Sequence, residues 1–203
     1  MPDFSDEVGR AKVEVRARLL ARRRALSPAA RQAAAGRLQA ALVALVRRVR
    51  PERVTGYVPV GNEPGGPGLP EVLAAALGTT GQLLLPVLRP DLDLDWAPYD
   101  GPGSLVAAGR GLWEPRTGRL GPGAVAEADL VLVPALAVDR AGVRLGRGGG
   151  SYDRALARVD GPVLTVALLH DGELLDTVPN DPHDRPVRAV ITPTGGVRRL
   201  PSG

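Results

Sequence analysis

Residues 130–154 read LVLVPALAVDRAGVRLGRGGGSYDR, and the change of character within that stretch points to the fold. Leu130 to Val133, closed by Pro134, is a short apolar run bounded by a turn signal, the pattern of a buried strand. From Asp139 onward the composition changes. Gly146, Gly148, Gly149 and Gly150 fall close together, flanked by Arg144 and Arg147 and followed by Tyr152 and Asp153. Glycine reaches the left-handed conformations that let successive backbone N–H groups converge on an anion. A helix starting near Ser151 would add its positive end, so the order strand, glycine loop, helix predicts a phosphate site. A flexible surface turn rich in Gly and Arg is the alternative reading of the glycines alone. Tyr152 and Asp153 argue against it, because a solvated linker needs neither an aromatic nor a carboxylate directly after its glycines. Two familiar phosphate loops are excluded: no GK[ST] follows, and Ser151 stands where G-x-G-x-x-G requires its third glycine.

Working outward, the 203 residues, 44% of them hydrophobic, are enough to bury one substantial core. Gly and Pro are abundant, yet the apolar runs between them are regular, so a compact, loop-rich protein is expected. The absence of cysteine removes disulfides, thiolate zinc sites and thiol nucleophiles. No apolar run approaches the roughly 18 residues of a membrane span and the amino terminus is polar, so no membrane partner and a cytoplasmic location are expected.

Charge is unevenly placed. Residues 1–53 carry 13 basic and 5 acidic side chains, net +8, against −4 for the remainder. This basic half reads as two helices. Ser5, Asp6 and Glu7 start the first, in which Val8, Val15 and Leu19 recur near helical spacing. Ser27 as cap and Pro28 at the first position open the second, which runs through Leu38, Leu42, Leu45 and Val49 until Pro51 stops it. Lys12 is the single lysine among 26 basic residues. Lys12 and Arg16, four apart, share a helical face on which an ammonium and a guanidinium can bind a polyphosphate together. A solvated basic face is the plainer reading of such a pair, and it is the one expected for Arg22, Arg23 and Arg24.

The middle of the chain alternates strand and helix, which predicts an α/β fold. Val54–Val58, Gln82–Val87 and Leu94–Tyr99 are strand candidates, and Pro70–Leu77 is a short helix. Between the first strand and that helix lies a Gly/Pro loop with one carboxylate, Glu63, placed where ligand contacts are usually made, or simply exposed. Asp91, Asp93 and Asp95 lack the glycine and distal glutamate of a calcium loop and read as polar positions on an edge strand or turn. Residues 101–123 form a long irregular excursion in which Trp113 either stacks on a flat ring or covers core. A helix over Ser151–Arg158, a buried strand over Val163–Leu169 and a final strand over Val187–Thr192 complete the chain. His170 and His183 have no partner spacing for zinc, whereas Asp153 and Asp184 suit magnesium, which takes one or two carboxylates plus substrate phosphates.

The run Val133-Pro134-Ala135-Leu136-Ala137-Val138-Asp139, then Gly142, then Arg144 through Arg154 resembles the main motif of the 5-formyltetrahydrofolate cyclo-ligase family, also called methenyltetrahydrofolate synthetases. Lys12-x-x-x-Arg16, Tyr57 through Glu63, Glu114-Pro115 and Pro179 through Asp184 extend the resemblance over nearly the whole chain in matching order. It implies one α/β domain over residues 1–203, with three α/β/α layers, a mostly parallel central sheet and the helices of residues 1–50 packed on the core as an N-terminal helical hairpin. It implies ATP bound by Lys12, Arg16, Arg144, Leu145, Gly146, Arg147, Gly148, Gly149, Gly150, Ser151 and Tyr152, and Mg2+ on Asp153 and Asp184. Folate is expected at Val58, Glu63, Trp113, Arg147, Ser151 and Tyr152, with Lys12, Arg144 and Tyr152 as catalytic residues. The implied reaction is the ATP-dependent cyclisation of 5-formyltetrahydrofolate, with or without a polyglutamate tail, to 5,10-methenyltetrahydrofolate by a monomer.

The sequence departs from the family's pattern at three places. Ser151 replaces a second aromatic, Val138 replaces an aromatic, and Pro64, Gly65 and Gly66 follow Glu63 where a threonine is usual. A nucleotide-binding relative that sequesters a folate-like molecule would keep the same phosphate half, and the Glu63 loop and Ser151 are what favour it. A nucleic-acid-binding protein would explain the basic helices but predicts interleaved aromatics. None occurs in residues 5–53, so nucleic acid is not expected as a partner.

Overall fold

The computed structural model describes residues 4–116, 118–181 and 184–201. Helix α1 (Phe4–Ala25) and helix α2 (Pro28–Val49) follow one another directly. Ser27 caps α2 as its sequence predicts: its hydroxyl accepts the Ala30 N–H at 3.1 Å, with Pro28 just inside the helix. At the other end Arg50 takes a left-handed conformation and its N–H closes on the Val46 carbonyl. The buried stripe is Leu38, Leu42, Leu45 and Val46. Val49, expected on that stripe, is exposed, because the helical turn carries it past the face that Val46 occupies.

The remaining elements are β1 (Arg53–Thr55), α3 (Leu69–Leu77), β2 (Gln82–Leu88), β3 (Leu94–Pro98), β4 (Leu105–Ala107), β5 (Trp113–Pro115), β6 (Leu130–Pro134), β7 (Ala137–Asp139), β8 (Arg144–Leu145), α4 (Ser151–Leu156), β9 (Leu164–Leu168), β10 (Leu174–Leu175), β11 (Ala189–Thr192) and β12 (Gly196–Arg199). Seven strands form one sheet in the order β12-β11-β9-β6-β1-β2-β3. The five inner strands are parallel, and β3 and β12 pair antiparallel at the two edges. The run Val187–Thr192 is therefore not the last strand: β12 follows it, with polar side chains at Arg198 and Arg199 that mask its strand character in the sequence.

Both faces of the sheet are covered. Helices α2 and α3 bury Leu38, Leu42, Leu69 and Leu73 against Val54, Leu83, Leu130, Leu132 and Val166. On the other face the 3-10 turn over Pro122–Glu127 and helix α4 bring Val125, Ala155 and Leu156 onto Trp96, Val131, Val133 and Ala167. Successive side chains of a strand point to opposite faces, so apolar runs such as Leu83-Leu84-Leu85 serve both layers. Each buried leucine contributes roughly 1.5–3 kcal/mol. Helix α1 goes elsewhere. Its Leu19 packs on Leu136, Ala137, Leu145 and Val178, over the small β10-β7-β8 sheet, so the two N-terminal helices serve different surfaces.

The strand order sets the place of the site. After β1 the chain moves outward to β2, then returns to lay β6 on the opposite side of β1. In open α/β sheets, ligands bind at the carboxyl ends of the strands where the direction of winding reverses. Here that crevice lies between the ends of β1 and β6. Strand β1 stops at Thr55, three residues short of the expected end at Val58, so Tyr57 and Val58 leave the sheet at this point. Strand β2 runs on beyond it. Tyr99 N–H donates to Leu83 O and Arg89 N–H to Asp93 O, which puts Pro86 and Pro98 at the alternate, non-bonded positions of the β2–β3 ladder.

Candidate active site

A cleft of about 550 Å³ occupies this crevice. Its floor is the strand ends, at Tyr57, Val58, Pro86, Leu88 and Pro134. One wall is the β8–α4 connection, Arg144 through Asp153, and another is a face of α1 carrying Lys12, Arg16 and Arg23. The hairpin of β4 and β5 contributes Leu112, Trp113 and Glu114, and the carboxyl-terminal segment contributes Asp181 and Asp184. Every site residue expected from the sequence lines this one cleft. Pro182 and His183, within the Pro179–Asp184 motif, lie outside the described residues.

The glycine loop is held by arginines. Arg144 is buried; it donates to the Pro134 carbonyl and, at 2.8 Å, to Asp153, while its Nε has no partner among the described residues. A Cβ on Gly146 would stand 2.7 Å from the Arg144 guanidinium, so glycine is what admits that side chain beneath the loop. Arg16 Nε donates to Gly146 O at 3.0 Å, and Gly148 takes φ +104, a conformation side chains rarely adopt, beside the same guanidinium. Helix α4 is only six residues long. Its dipole is correspondingly small, so the loop amides and these arginines, more than a helix end, make the loop attractive to an anion.

The four positions Lys12, Arg16, Leu19 and Arg23 recur at helical spacing and form the inward face of α1. Lys12 Nζ lies 2.6 Å from carboxylate oxygens of both Asp181 and Asp184. Burial works to lower the Lys12 pKa, but the bonds to Asp181 and Asp184 outweigh it and the ammonium is raised. Arg23, expected in solvent, is instead buried: it grips Glu173 through two N–H···O bonds of 2.7 and 2.8 Å and donates to Ala135 O. Buried and bidentate, this pair fixes α1 on the turn that follows β6. Arg22 and Arg24 are exposed as expected, Arg22 reaching the Gly172 carbonyl.

Glu63 accepts the Val60 N–H and pairs at 3.1 Å with Arg147 of the glycine loop. Tyr57 donates its hydroxyl to Pro64 O, which holds the Gly/Pro loop down on the strand end. The Tyr152 phenol is pushed up by burial and then by Glu63, so it stays protonated at neutral pH, and its ring lies 5.9 Å from the Arg144 guanidinium carbon. Trp113 is 51% exposed at the mouth, free to cover a ring rather than the core. Glu114 has a structural task. Leu88 lies past the end of β1, and Glu114 Oε1 accepts its N–H at 2.9 Å in place of a neighbouring strand.

Comparison with known proteins agrees with this fold. A model of the 5-formyltetrahydrofolate cyclo-ligase family matches residues 8–193. The chain belongs to that family. A 5-formyltetrahydrofolate cyclo-ligase of Mycolicibacterium smegmatis is 43% identical over 196 residues, covering 94% of this chain and 98% of the relative. Among solved structures, the 5,10-methenyltetrahydrofolate synthetase of Aquifex aeolicus superposes with a TM-score of 0.73 at 30% identity, over 95% of this chain and 94% of that one. The Mycoplasma pneumoniae 5,10-methenyltetrahydrofolate synthetase shares the fold, with a TM-score of 0.68 at 20% identity over 88% of this chain and 96% of that one.

Within this cyclo-ligase chain, sequence reasoning missed the ionic partners rather than the cleft. Arg23 was detectable, because it continues the spacing of Lys12, Arg16 and Leu19. Asp181 sits inside the closing motif and bonds to Asp184 through its own N–H at 2.8 Å. Its role as second acceptor for Lys12 spans 169 positions of sequence, and nothing local announces it.

Proposed function

We propose that the protein is a 5-formyltetrahydrofolate cyclo-ligase that closes the N5-formyl group onto N10, forming 5,10-methenyltetrahydrofolate while ATP is converted to ADP and phosphate. The observation that carries this is the meeting, in one cleft, of a glycine loop braced by Arg16 and Arg144 with the Val58, Glu63 and Trp113 end. The loop fits a polyphosphate on two counts: a cradle that a Cβ at Gly146 would fill, and a buried Arg144 Nε awaiting an acceptor. Lys12 has spent two of its three protons on Asp181 and Asp184 and keeps one for a phosphate oxygen. Asp153 and Asp184, hard oxygen donors on the same cleft, are the residues that would hold Mg2+. Bound there, the ion would neutralise phosphate charge.

The chemistry calls for this set. The N5-formyl carbonyl is amide-like and a poor electrophile, and ring closure must expel its oxygen. The formyl oxygen attacks the γ-phosphorus, the bond to ADP breaks, N10 attacks the activated carbon, and the oxygen departs with phosphate as N10 loses its proton. Phosphoryl transfer needs positioning and charge stabilisation rather than a protein nucleophile. Lys12, Arg16, Arg144 and the loop amides hold the phosphates, Glu63 and Val58 orient the pterin end, and protonated Tyr152 donates within the cleft.

The test is to incubate the purified protein with 5-formyltetrahydrofolate, ATP and magnesium and follow the near-ultraviolet absorbance of the methenyl product at acid pH, where it persists. Absorbance that grows only when all three are present is expected. No product from protein that still binds ATP would mean a different second substrate.

A further inference from the structure

Resting on the cyclo-ligase reading, we propose that His170 and Gln39 are positioning residues for folate: from outside the cleft they hold two carbonyls of the loop that carries Glu63, and so fix where its carboxylate stands. Neither side chain lines the cleft. His170 is buried, 7% exposed, and takes no part in the chemistry above. Its Nε2 lies 3.1 Å from Asn62 O. A carbonyl oxygen only accepts, so Nε2 carries the proton. Gln39, on α2, donates its amide N–H to Gly65 O at 2.8 Å. Between the two, Tyr57 donates to Pro64 O at 2.9 Å. The carbonyls of Asn62, Pro64 and Gly65 are thus held from three parts of the fold: the turn after β9, the segment after β1, and α2.

The loop's own composition works against a fixed shape. Gly61, Gly65 and Gly66 have positive φ, at +62, +104 and +70, and glycine gives up more conformational freedom on ordering than any other residue. Pro64 and Gly65 are also buried, so their carbonyls need donors in place of water. Gly66 is pressed onto α2: a Cβ there would stand 2.9 Å from the Ala35 Cβ. Pro64, Gly65 and Gly66, which replace the family's usual threonine, are therefore the part of the loop that meets Tyr57, Gln39 and Ala35.

Glu63 sits among these anchors. The peptide unit joining Asn62 to Glu63 is held at both ends, its carbonyl by His170 and its N–H by Val60 O at 3.2 Å. A peptide unit is planar, so two such bonds fix its plane, and with it the direction in which the Glu63 side chain leaves the backbone. The Glu63 carboxylate then reaches the Val60 N–H and Arg147. His170 is itself fixed, because its backbone N–H donates at 2.7 Å to Glu173, the carboxylate that grips Arg23. A carboxylate oriented in advance loses less freedom when a flat, donor-rich pterin docks on it, so the loss of either anchor registers in folate affinity.

Equilibrium binding of 5-formyltetrahydrofolate without ATP, and of ATP without folate, separates this role from a general structural one. His170→Leu removes the donor and should weaken folate binding about tenfold, the worth of roughly one hydrogen bond, with ATP affinity held within about twofold. His170→Gln places an amide N–H where Nε2 stands and should recover most of the loss. Gln39→Ala leaves the buried Arg23–Glu173 pair untouched and should weaken folate binding about threefold; it decides the question if His170→Leu fails to fold. Unchanged folate binding in Gln39→Ala and His170→Leu, folate and ATP affinities that fall together, or no recovery in His170→Gln overturns the positioning role while leaving the cyclo-ligase reading intact. Failure of the wild-type protein to bind folate while it still binds ATP overturns both.

Discussion

At the scale of single residues, the phosphate side of the site is built from Lys12, Arg16, Arg144 and Arg147, each held by a carboxylate or carbonyl of the protein itself. Lys12 is the most exposed to test. With two aspartates at 2.6 Å it is held in place and keeps its charge. Lys12→Ala should lower turnover on the order of a hundredfold, the usual cost of deleting one charge-stabilising donor, in steady-state assays with ATP varied. Unchanged ATP kinetics would take Lys12 out of the site. Gly146→Ala should act on Arg144 instead, since the new methyl would lie 2.7 Å from the guanidinium. A roughly tenfold loss of ATP affinity by calorimetry is expected if displacing Arg144 costs one charge-assisted bond. The glycine loop, Lys12 and Arg16 were legible because their chemistry is local: spacing along a helix and glycines in a row. The partners of Lys12 and Arg23 were not, because Asp181 and Asp184 approach Lys12, and Glu173 approaches Arg23, only through the fold.

At the scale of elements, α1 carries one wall of the site, and the buried Arg23–Glu173 ion pair is one of its anchors. Removing the cation leaves Glu173 buried and uncompensated, so Arg23→Ala should cost about 3–5 kcal/mol in chemical denaturation. Arg23→Met with Glu173→Leu should recover much of that loss, because no isolated charge remains. Ser27→Ala should cost only about 1 kcal/mol, the worth of one helix cap. The sequence announces elements whose local signals agree: Ser27-Pro28 for α2, the Leu83–Leu85 run for β2, Leu130–Val133 for β6. It is silent where tertiary pairing supplies the reason for a strand. The β4–β5 hairpin lies in a Gly-rich excursion with Val106 and Trp113 exposed, and β12 pairs along an edge through polar residues. Both become strands because a neighbour offers hydrogen bonds, which hydrophobic period does not record.

At the scale of the whole molecule, titration probes the packing around the cleft. All three tyrosines are shifted upward: Tyr57 and Tyr152 by burial and then Glu63, and Tyr99 to about 12 by burial and then Glu71. A group whose pKa rises on folding stabilises the fold fully below its unfolded value, here 10.0, and loses that contribution as pH climbs through the folded value. Lys12, also raised, acts in the same sense above 10.5. Stability should therefore fall steeply above pH 10, and phenolate absorbance should appear together with unfolding rather than before it. At the acid end, burial opposes ionisation of Asp93, but its bonds to Arg158 prevail and lower its pKa from 3.8, so its contribution is present above that value and lost as pH falls through the lower one.

The proposed reaction joins the two ends of the cleft through one atom, the formyl oxygen. Turnover of 5-formyltetrahydrofolate carrying heavy oxygen in the formyl group, followed by mass analysis of the phosphate released, tests that junction most directly. The label should appear in phosphate, one heavy atom for each methenyl group formed. Phosphate without label, alongside methenyl product, would contradict direct attack of the formyl oxygen on the nucleotide.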